Sequence, residues 1–266
     1  MSAADAAATT PASAPAPVIE LDDVDVVFTS GFGAGRREVR AMSHVSFSVG
    51  PGETLGLVGE SGSGKTTTGT VVLGLQRPDS GSVRFQGAPL SRSLRSRAGR
   101  MQAVLQHPRW ALDPRSTVLS SVLEPVLVHE RRSPEVEERA IAMLDRVGLP
   151  ASFAARRPHQ LSGGQLQRVS VARALVTHPA FIVFDEAVSA LDVSVQAQIL
   201  NLIQDLQAEH GFAALFISHD LAAVRYISHH VAVMRGGEIV EHAPTDVFYD
   251  LPRHPYSRQL FQELSS

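Results

Sequence analysis

One octapeptide constrains the fold of this chain more than any other feature. Gly59-Glu60-Ser61-Gly62-Ser63-Gly64-Lys65-Thr66 fits G-x-x-x-x-G-K-[ST], the pattern of a phosphate-binding loop. The apolar stretch Thr54-Leu55-Gly56-Leu57-Val58 runs into it and reads as a buried strand, and a helix is expected from Gly64 to about Leu73. The loop needs that setting, because it works between a strand end and a helix N-terminus. Its glycines let the backbone wrap closely, so that successive N–H groups point at phosphate oxygens. The helix N-terminus adds a partial positive charge. Lys65 supplies a point charge for the β- and γ-phosphates, and the Thr66 hydroxyl is placed to ligate Mg2+. The alternative, a Gly/Ser turn that happens to precede Lys-Thr, leaves the flanking strand and helix unexplained. On its own the loop specifies a nucleoside triphosphate and not what its hydrolysis drives.

Composition removes several classes. The 266 residues have room for one large domain or two small ones, and for a substantial core. A net charge of −3 gives no overall electrostatic case for nucleic acid. The absence of cysteine excludes disulfides, thiolate-ligated zinc and cysteine-ligated iron–sulfur clusters. No apolar run approaches the ~20 residues of a membrane span. Residues 2–17 are almost all Ala, Ser, Thr and Pro, without a basic start or an apolar centre. They read as a disordered leader over 1–17 and not as a secretory signal. A role in a membrane process would therefore run through docking on membrane partners made by other chains.

Ordered structure is expected from Val18 onward, as one α/β domain over 18–266. Ile19, Leu21, Val24, Val26 and Phe28 mark a β stretch with imperfect alternation, Ser30 to Gly35 a flexible turn, and Val45, Phe47 and Val49 a second β stretch. Together they suggest an antiparallel hairpin-like element. Ser82-Val83-Arg84-Phe85 reads as a short strand after the turn Pro78-Asp79-Ser80-Gly81. From about 108 to 176 the pattern becomes helical. There Ser133 caps a helix, Pro134 takes its first position, Gly148 closes it, and Val136, Ala140, Ile141, Leu144 and Val147 recur at helical spacing. Sheet pattern returns at Phe181 to Phe184, Phe212 to Ile217 and Val231 to Met234, with an amphipathic helix carrying Val195, Ile199, Leu202, Ile203 and Leu206. Strands alternating with helices predict a parallel α/β core with a helical subdomain inserted in it. Residues from about 246 to 266 read as a C-terminal tail.

Two further motifs carry chemistry. Asp185-Glu186 follows the apolar run Phe181 to Phe184, so both acids fall at the carboxyl end of a central strand, where open α/β sheets bind ligands. Asp185 is suited to hold Mg2+ and Glu186 to orient and polarise an attacking water. Two acids that merely cap a strand end are common, and the phosphate loop upstream is what lifts the catalytic reading. Leu161-Ser162-Gly163-Gly164-Gln165 is the second motif. Ser162 can cap the helix that continues through Arg168, Val171 and Leu175, and two glycines in its first turn leave backbone N–H groups unshielded. That makes a second anion site at a helix N-terminus.

At this point the sequence resembles the ATP-binding subunits of ABC transporters. Leu161 to Gln165 resembles that family's signature motif, which lies downstream of the phosphate loop and ahead of Asp185-Glu186. Gln106, in Ala103-Val104-Leu105-Gln106-His107-Pro108, resembles the Q-loop glutamine, which ligates Mg2+ and senses the transmembrane partner. Ser189-Ala190-Leu191-Asp192 resembles the D-loop, His219 in Phe216-Ile217-Ser218-His219-Asp220 the switch histidine that contacts the γ-phosphate, and Phe28 the aromatic that stacks on adenine. The likeness is closer to the ATPases of dipeptide, oligopeptide and nickel importers, through Asp185 to Leu206 and through Pro252-Arg253-His254-Pro255-Tyr256-Ser257. Ala187 stands where most of the wider family has proline, and His107 where an acid commonly follows the glutamine. The chain also ends soon after Tyr256, without the longer extension of many peptide-importer ATPases, which leaves room for nickel as cargo.

The resemblance implies a phosphate-loop NTPase with a RecA-like core, an antiparallel β subdomain and an inserted helical subdomain. It implies ATP and Mg2+ as ligands, with Gly59, Glu60, Ser61, Gly62, Ser63, Gly64, Lys65, Thr66 and Thr67 on the nucleotide of one chain. Ser162, Gly163, Gly164, Gln165 and Asp192 then serve the nucleotide of a second ATPase subunit, identical or related, met head to tail. Two permease subunits, and through them an extracytoplasmic solute-binding protein, are the further partners, at the cytoplasmic face of the membrane. Soluble ABC ATPases that act on ribosomes or DNA usually carry two nucleotide domains or a long coiled coil; this chain has one phosphate loop and no sustained heptads. A non-hydrolysing switch would be expected to lack Glu186 or His219. Of the weaker signals, the run Arg92, Arg95, Arg97, Arg100 reads as a solvated face, against nucleic acid or lipid head groups, and His229, His230, His242 and His254 as surface or packed histidines. Trp110 is open between a permease contact and a core position.

Overall fold

The computed structural model describes residues 16–30 and 37–264. Most of the leader expected over 1–17, and the turn expected after Ser30, lie outside the described residues. β1 (Ile19–Ser30) and β2 (Arg37–Val49) pair antiparallel, from Ile19 opposite Val49 to Ser30 opposite Arg37. The register shifts between Leu21 and Val27, which is why the apolar alternation in β1 is imperfect. β3 (Thr54–Val58) leads through the glycine-rich loop into α1 (Lys65–Val72). β4 (Ser80–Phe85) joins β1 and the short β5 (Ala88–Pro89) joins β4, giving an antiparallel sheet in the order β2-β1-β4-β5.

After α2 (Leu94–Arg97) comes β6 (Met101–Leu105), an edge strand in which Met101 and Val104 are buried and Leu105 is exposed. The helical stretch follows as α3 (Pro108–Ala111), α4 (Val118–Leu123), α5 (Pro134–Arg146) and α6 (Gly163–Leu175). α5 starts and stops as its sequence dictates. Ser133 Oγ accepts the Val136 N–H, Pro134 needs no hydrogen bond at the first position, and Gly148 takes φ +77 beyond the end. Then come β7 (Phe181–Asp185), α7 (Val193–His210), β8 (Ala213–Ile217), α8 (Leu221–Ile227), β9 (His230–Arg235) and β10 (Glu238–Pro244). α9 (Thr245–Asp250) and α10 (Pro255–Leu264) follow. The second sheet runs β10-β9-β3-β8-β7-β6, parallel except for β10.

Both faces of this sheet are covered. Phe181 and Val183 of β7 enter the core beneath the antiparallel sheet, with Val71 and Val72 of α1. Ile182 and Phe184 point the other way and pack with α6, α7 and α8. Double burial is the reason Phe181 to Phe184 of β7 and all of β8 are apolar without alternation. Each such side chain contributes roughly 1.5–3 kcal/mol by leaving water.

Several residues with possible ligand chemistry serve the fold. Arg97 is buried and donates to the Leu73 carbonyl, and the Arg100 guanidinium lies 4.9 Å from the Phe85 ring centre. The His230 and His242 rings meet across β9 and β10 at 5.8 Å. The Trp110 side chain lies outside the described residues. Among the described residues no helix is long and apolar enough to cross a membrane.

Candidate functional site

Strand register decides where the polar chemistry gathers. Leu105 of β6 pairs with Asp185 of β7, Asp185 with Ile217 of β8, and Ile217 with Leu57 of β3. These parallel strands end at one level. Gln106, Glu186, His219 and the loop from Gly59 therefore share the carboxyl edge of the sheet.

The loop is braced from behind. A Cβ on Gly59, at φ +149, would lie 2.1 Å from the Met234 carbonyl oxygen, and one on Gly64, at φ +111, 2.2 Å from that of Ala41. Only glycine fits at either position. The Ser63 carbonyl accepts the Gly237 N–H at 2.9 Å, so the β9–β10 turn also holds the loop. Gly64 is the N-cap of α1 and gives it no side-chain cap, which leaves the first helical N–H groups for a ligand. Phe28, 45% exposed, pairs with Val39, two residues before Ala41 on β2.

The charged groups are crowded. Lys65 Nζ donates to the Gly59 and Glu60 carbonyls, both at 2.7 Å, and reaches Ser63 Oγ at 3.4 Å. Burial pushes its pKa below the ordinary lysine range, against the opposing pull of Glu186, Asp185 and Glu60. Asp185 moves up, because it is buried and because Glu186 adjoins it; the Thr66 hydroxyl and Lys65 pull it back. The Thr66 hydroxyl and the Asp185 carboxyl thus form a neighbouring oxygen pair. Among the described residues no group of three or more His, Asp and Glu could hold a metal by itself. A hydroxyl and a carboxylate suit Mg2+ that takes its remaining ligands from phosphates and water.

Glu186 occupies a left-handed backbone position, φ +50, with its N–H on the Ile217 carbonyl at 2.9 Å. Such a position is uncommon outside glycine and strained positions cluster at functional sites. Its Oε2 accepts Gln106 Nε2 at 2.8 Å, and His219 Nδ1 lies 3.4 Å from Oε1. Ser189 completes the cluster: its Oγ accepts Gln106 Nε2 at 3.1 Å and donates to the Glu186 carbonyl at 3.0 Å. No sequence signal marked Ser189 beyond its place in the D-loop segment, three residues after Glu186.

A second set of expected residues sits at two other helix starts. Ser162 and Gln165 form a reciprocal cap at the start of α6, with Ser162 Oγ on the Gln165 N–H at 3.3 Å and Gln165 Oε1 on the Ser162 N–H at 3.0 Å. The Gly163 and Gly164 N–H groups have no intrahelical acceptor by helix geometry. A Cβ on Gly164 would lie 2.6 Å from Val195 Cγ1, so packing against α7 also demands glycine there. Asp192 caps α7 through the Val195 N–H at 3.0 Å, and that bond with the Ser194 hydroxyl holds its carboxyl below the ordinary range. A cavity of about 210 Å³ is lined by Gln106 and His107 on one side and by Gly163, Leu166 and Leu191 on the other. A larger one, about 530 Å³, sits at the opposite, amino-terminal edge of β6 and β7, where Arg139 is paired with Glu130. It belongs to no part of the carboxyl-edge cluster.

Comparison with known proteins gives the family and the fold. The family model described as ABC transporter matches residues 42–189. The glutathione import ATP-binding protein GsiA of Pectobacterium atrosepticum is 50% identical over 229 residues, 84% of this chain and 37% of the relative. The chain thus spans about 37% of the length of that relative. A putative peptide import ATP-binding protein of Brucella abortus is 45% identical over 259 residues, 93% of this chain and 76% of the relative. Among solved structures, a dimeric ATP-binding cassette in a post-hydrolysis state bound to ADP and Pi superposes with TM-score 0.73 at 28% identity, covering 85% of this chain and 98% of that one.

Proposed function

Because this chain belongs to the ABC transporter family, we propose that it is the ATP-binding and ATP-hydrolysing subunit of an importer that couples hydrolysis to peptide uptake across the cytoplasmic membrane. The observation that carries the reading is the cluster at the carboxyl edge, where Lys65, Thr66, Asp185, Glu186, Gln106 and His219 meet. Lys65, oriented by the Gly59 and Glu60 carbonyls, and the uncapped amides of α1 receive the triphosphate. Thr66, Asp185 and the Gln106 carbonyl oxygen would hold Mg2+, which when bound neutralises charge on the phosphates. Glu186, fixed by Gln106 and His219, orients and polarises the attacking water. Phe28 offers its exposed ring to adenine.

The Ser162 helix and Asp192 serve the nucleotide of a second ATPase subunit, a copy of this chain or a relative. Closure of the pair excludes water and completes the site. Two permease subunits are the further partners, with a solute-binding protein acting through them from outside, and the chain sits peripherally at the cytoplasmic face. An apolar groove of about 300 Å³ supports a permease contact, since Leu73, Leu75, Leu94, Met101 and Val128 line it and Leu75 and Leu94 are exposed. Peptides are the favoured cargo because the named relatives import peptides or glutathione, itself a short peptide.

The test replaces the native copy in cells with Lys65→Ala and follows a labelled short peptide. Uptake is expected to fall to background and to return with the wild-type chain. Unchanged uptake at a normal level of the mutant protein refutes peptide as the cargo and moves a small solute such as nickel to first place. Unchanged ATP affinity of purified Lys65→Ala, by calorimetry, refutes the ATP site itself.

A further inference from the structure

The C-terminal helices reach back to the phosphate loop. Tyr256, on α10, is buried, and its hydroxyl oxygen accepts the Glu60 backbone N–H at 3.0 Å. The other end of the same peptide unit, the Gly59 carbonyl, accepts Lys65 Nζ at 2.7 Å. One peptide plane is therefore gripped from both sides, by a phenol and by the ammonium that meets the triphosphate. Bonds at the two ends of an amide polarise one another. Gly59 has no side chain to limit rotation of that plane, so the two bonds contribute to its orientation.

Tyr256 is itself firmly held. The Arg235 guanidinium lies 4.6 Å from its ring centre, and the Tyr256 N–H donates to His254 Nδ1 at 3.2 Å. The Glu241 carboxylate of β10 accepts the Arg253 and His254 N–H groups at 2.7 and 2.9 Å, which fixes the approach to α10. Burial, with the Glu60 carboxylate nearby, pushes the phenol above its ordinary range and keeps it protonated.

We propose that Tyr256 is a positioning residue for ATP binding: its hydroxyl sets the Gly59–Glu60 peptide and, through it, the Lys65 ammonium and the loop amides. The proposal rests on the reading of this loop as the ATP site. It gives the segment Pro252 to Ser257 a task in the cassette itself.

Tyr256→Phe removes one oxygen and keeps the ring that packs on Arg235. With the purified full chain, the dissociation constant and KM for ATP are expected to rise about five-fold, the ratio that corresponds to one net hydrogen bond. kcat is expected to stay within about two-fold, since no group that touches the reacting atoms is altered. Tyr249→Phe is the matched control. It removes a half-buried hydroxyl of the same C-terminal unit, one that donates to the Leu221 carbonyl away from the loop, and is expected to leave KM for ATP unchanged. An unchanged KM in Tyr256→Phe, or an equal rise in both variants, overturns the proposal. Lys65→Ala run beside them separates the two readings. Full ATP affinity in Lys65→Ala overturns the loop as the ATP site and the proposal with it, whereas full affinity in Tyr256→Phe alone overturns only the role of Tyr256.

Discussion

The two glycine-rich helix starts of this chain are built differently. α1 begins at Gly64, in a left-handed conformation and without a side-chain cap, and its Lys65 rests on carbonyls of its own loop. α6 begins at Ser162, whose hydroxyl and the Gln165 amide cap each other. The first start is unfinished without an anion and is surrounded by acids and a cation; the second has an uncharged side-chain cap that leaves the Gly163 and Gly164 N–H groups open. The difference suits a divided site: one half that binds and does chemistry, and another lent to the nucleotide of a second subunit.

The largest expected effect falls on the chemical half. Glu186→Gln keeps the shape of the side chain that Gln106 and His219 hold, and removes the carboxylate. Turnover should drop about a hundred-fold or more, the usual share of a general base, with ATP affinity retained and a dimer accumulating in MgATP. Turnover at the wild-type rate, measured by phosphate release, would remove Glu186 from its role.

A smaller effect comes from the lent half. Ser162→Ala should lower turnover about ten-fold while the ATP affinity of a single chain stays unchanged, with about 1 kcal/mol of stability lost from the missing cap. Mixing makes the comparison sharper. If each site joins Lys65 of one chain to Ser162 of another, a mixed dimer of Lys65→Ala and Ser162→Ala has one intact site, and turnover of the mixture should exceed the mean of its two components. A mixture no more active than that mean would place both halves on one nucleotide within one chain.

The two halves were unequally legible in the sequence. Strand, loop and helix around Lys65 follow from hydropathy and the spacing of Gly59, Gly64 and Lys65, since close backbone approach permits little else there. The convergence of Gln106, Glu186 and His219 was not legible from spacing, because it depends on the level at which β6, β7 and β8 end. β6 itself is obscure: as a short edge strand it buries Met101 and Val104 but exposes Leu105, so it lacks the apolar run of β7. Gly164 shows another limit. Its glycine reads as baring a helix start, and the structure adds a packing demand from Val195 that a single sequence does not display. Tyr256 and Ser189 act through contacts across long or irregular stretches of chain, where no periodicity points to a partner.

The smallest expected effect concerns the electrostatic cost of the unfinished half. The pKa of Asp185 is raised in the fold above its ordinary 3.8, chiefly by burial and by Glu186. Between 3.8 and the raised value the folded state binds more protons than the unfolded state. Stability therefore falls as pH rises through that window, and the full cost is present at neutral pH. Asp185→Asn should raise the stability of the nucleotide-free protein at pH 7 by about 0.5–2 kcal/mol, as relief of a strained site commonly does. The gain should shrink as pH falls toward 3.8, where the wild-type carboxyl is itself protonated. In MgATP the order should reverse, because only the wild type gains the stabilisation of a cation-bound ligand. Paired melting curves with and without MgATP decide the matter. A nucleotide-free variant that melts lower than wild type would mean that Asp185 stabilises the empty fold, and that the crowding of charge at this edge is relieved by contacts other than Thr66 and Lys65.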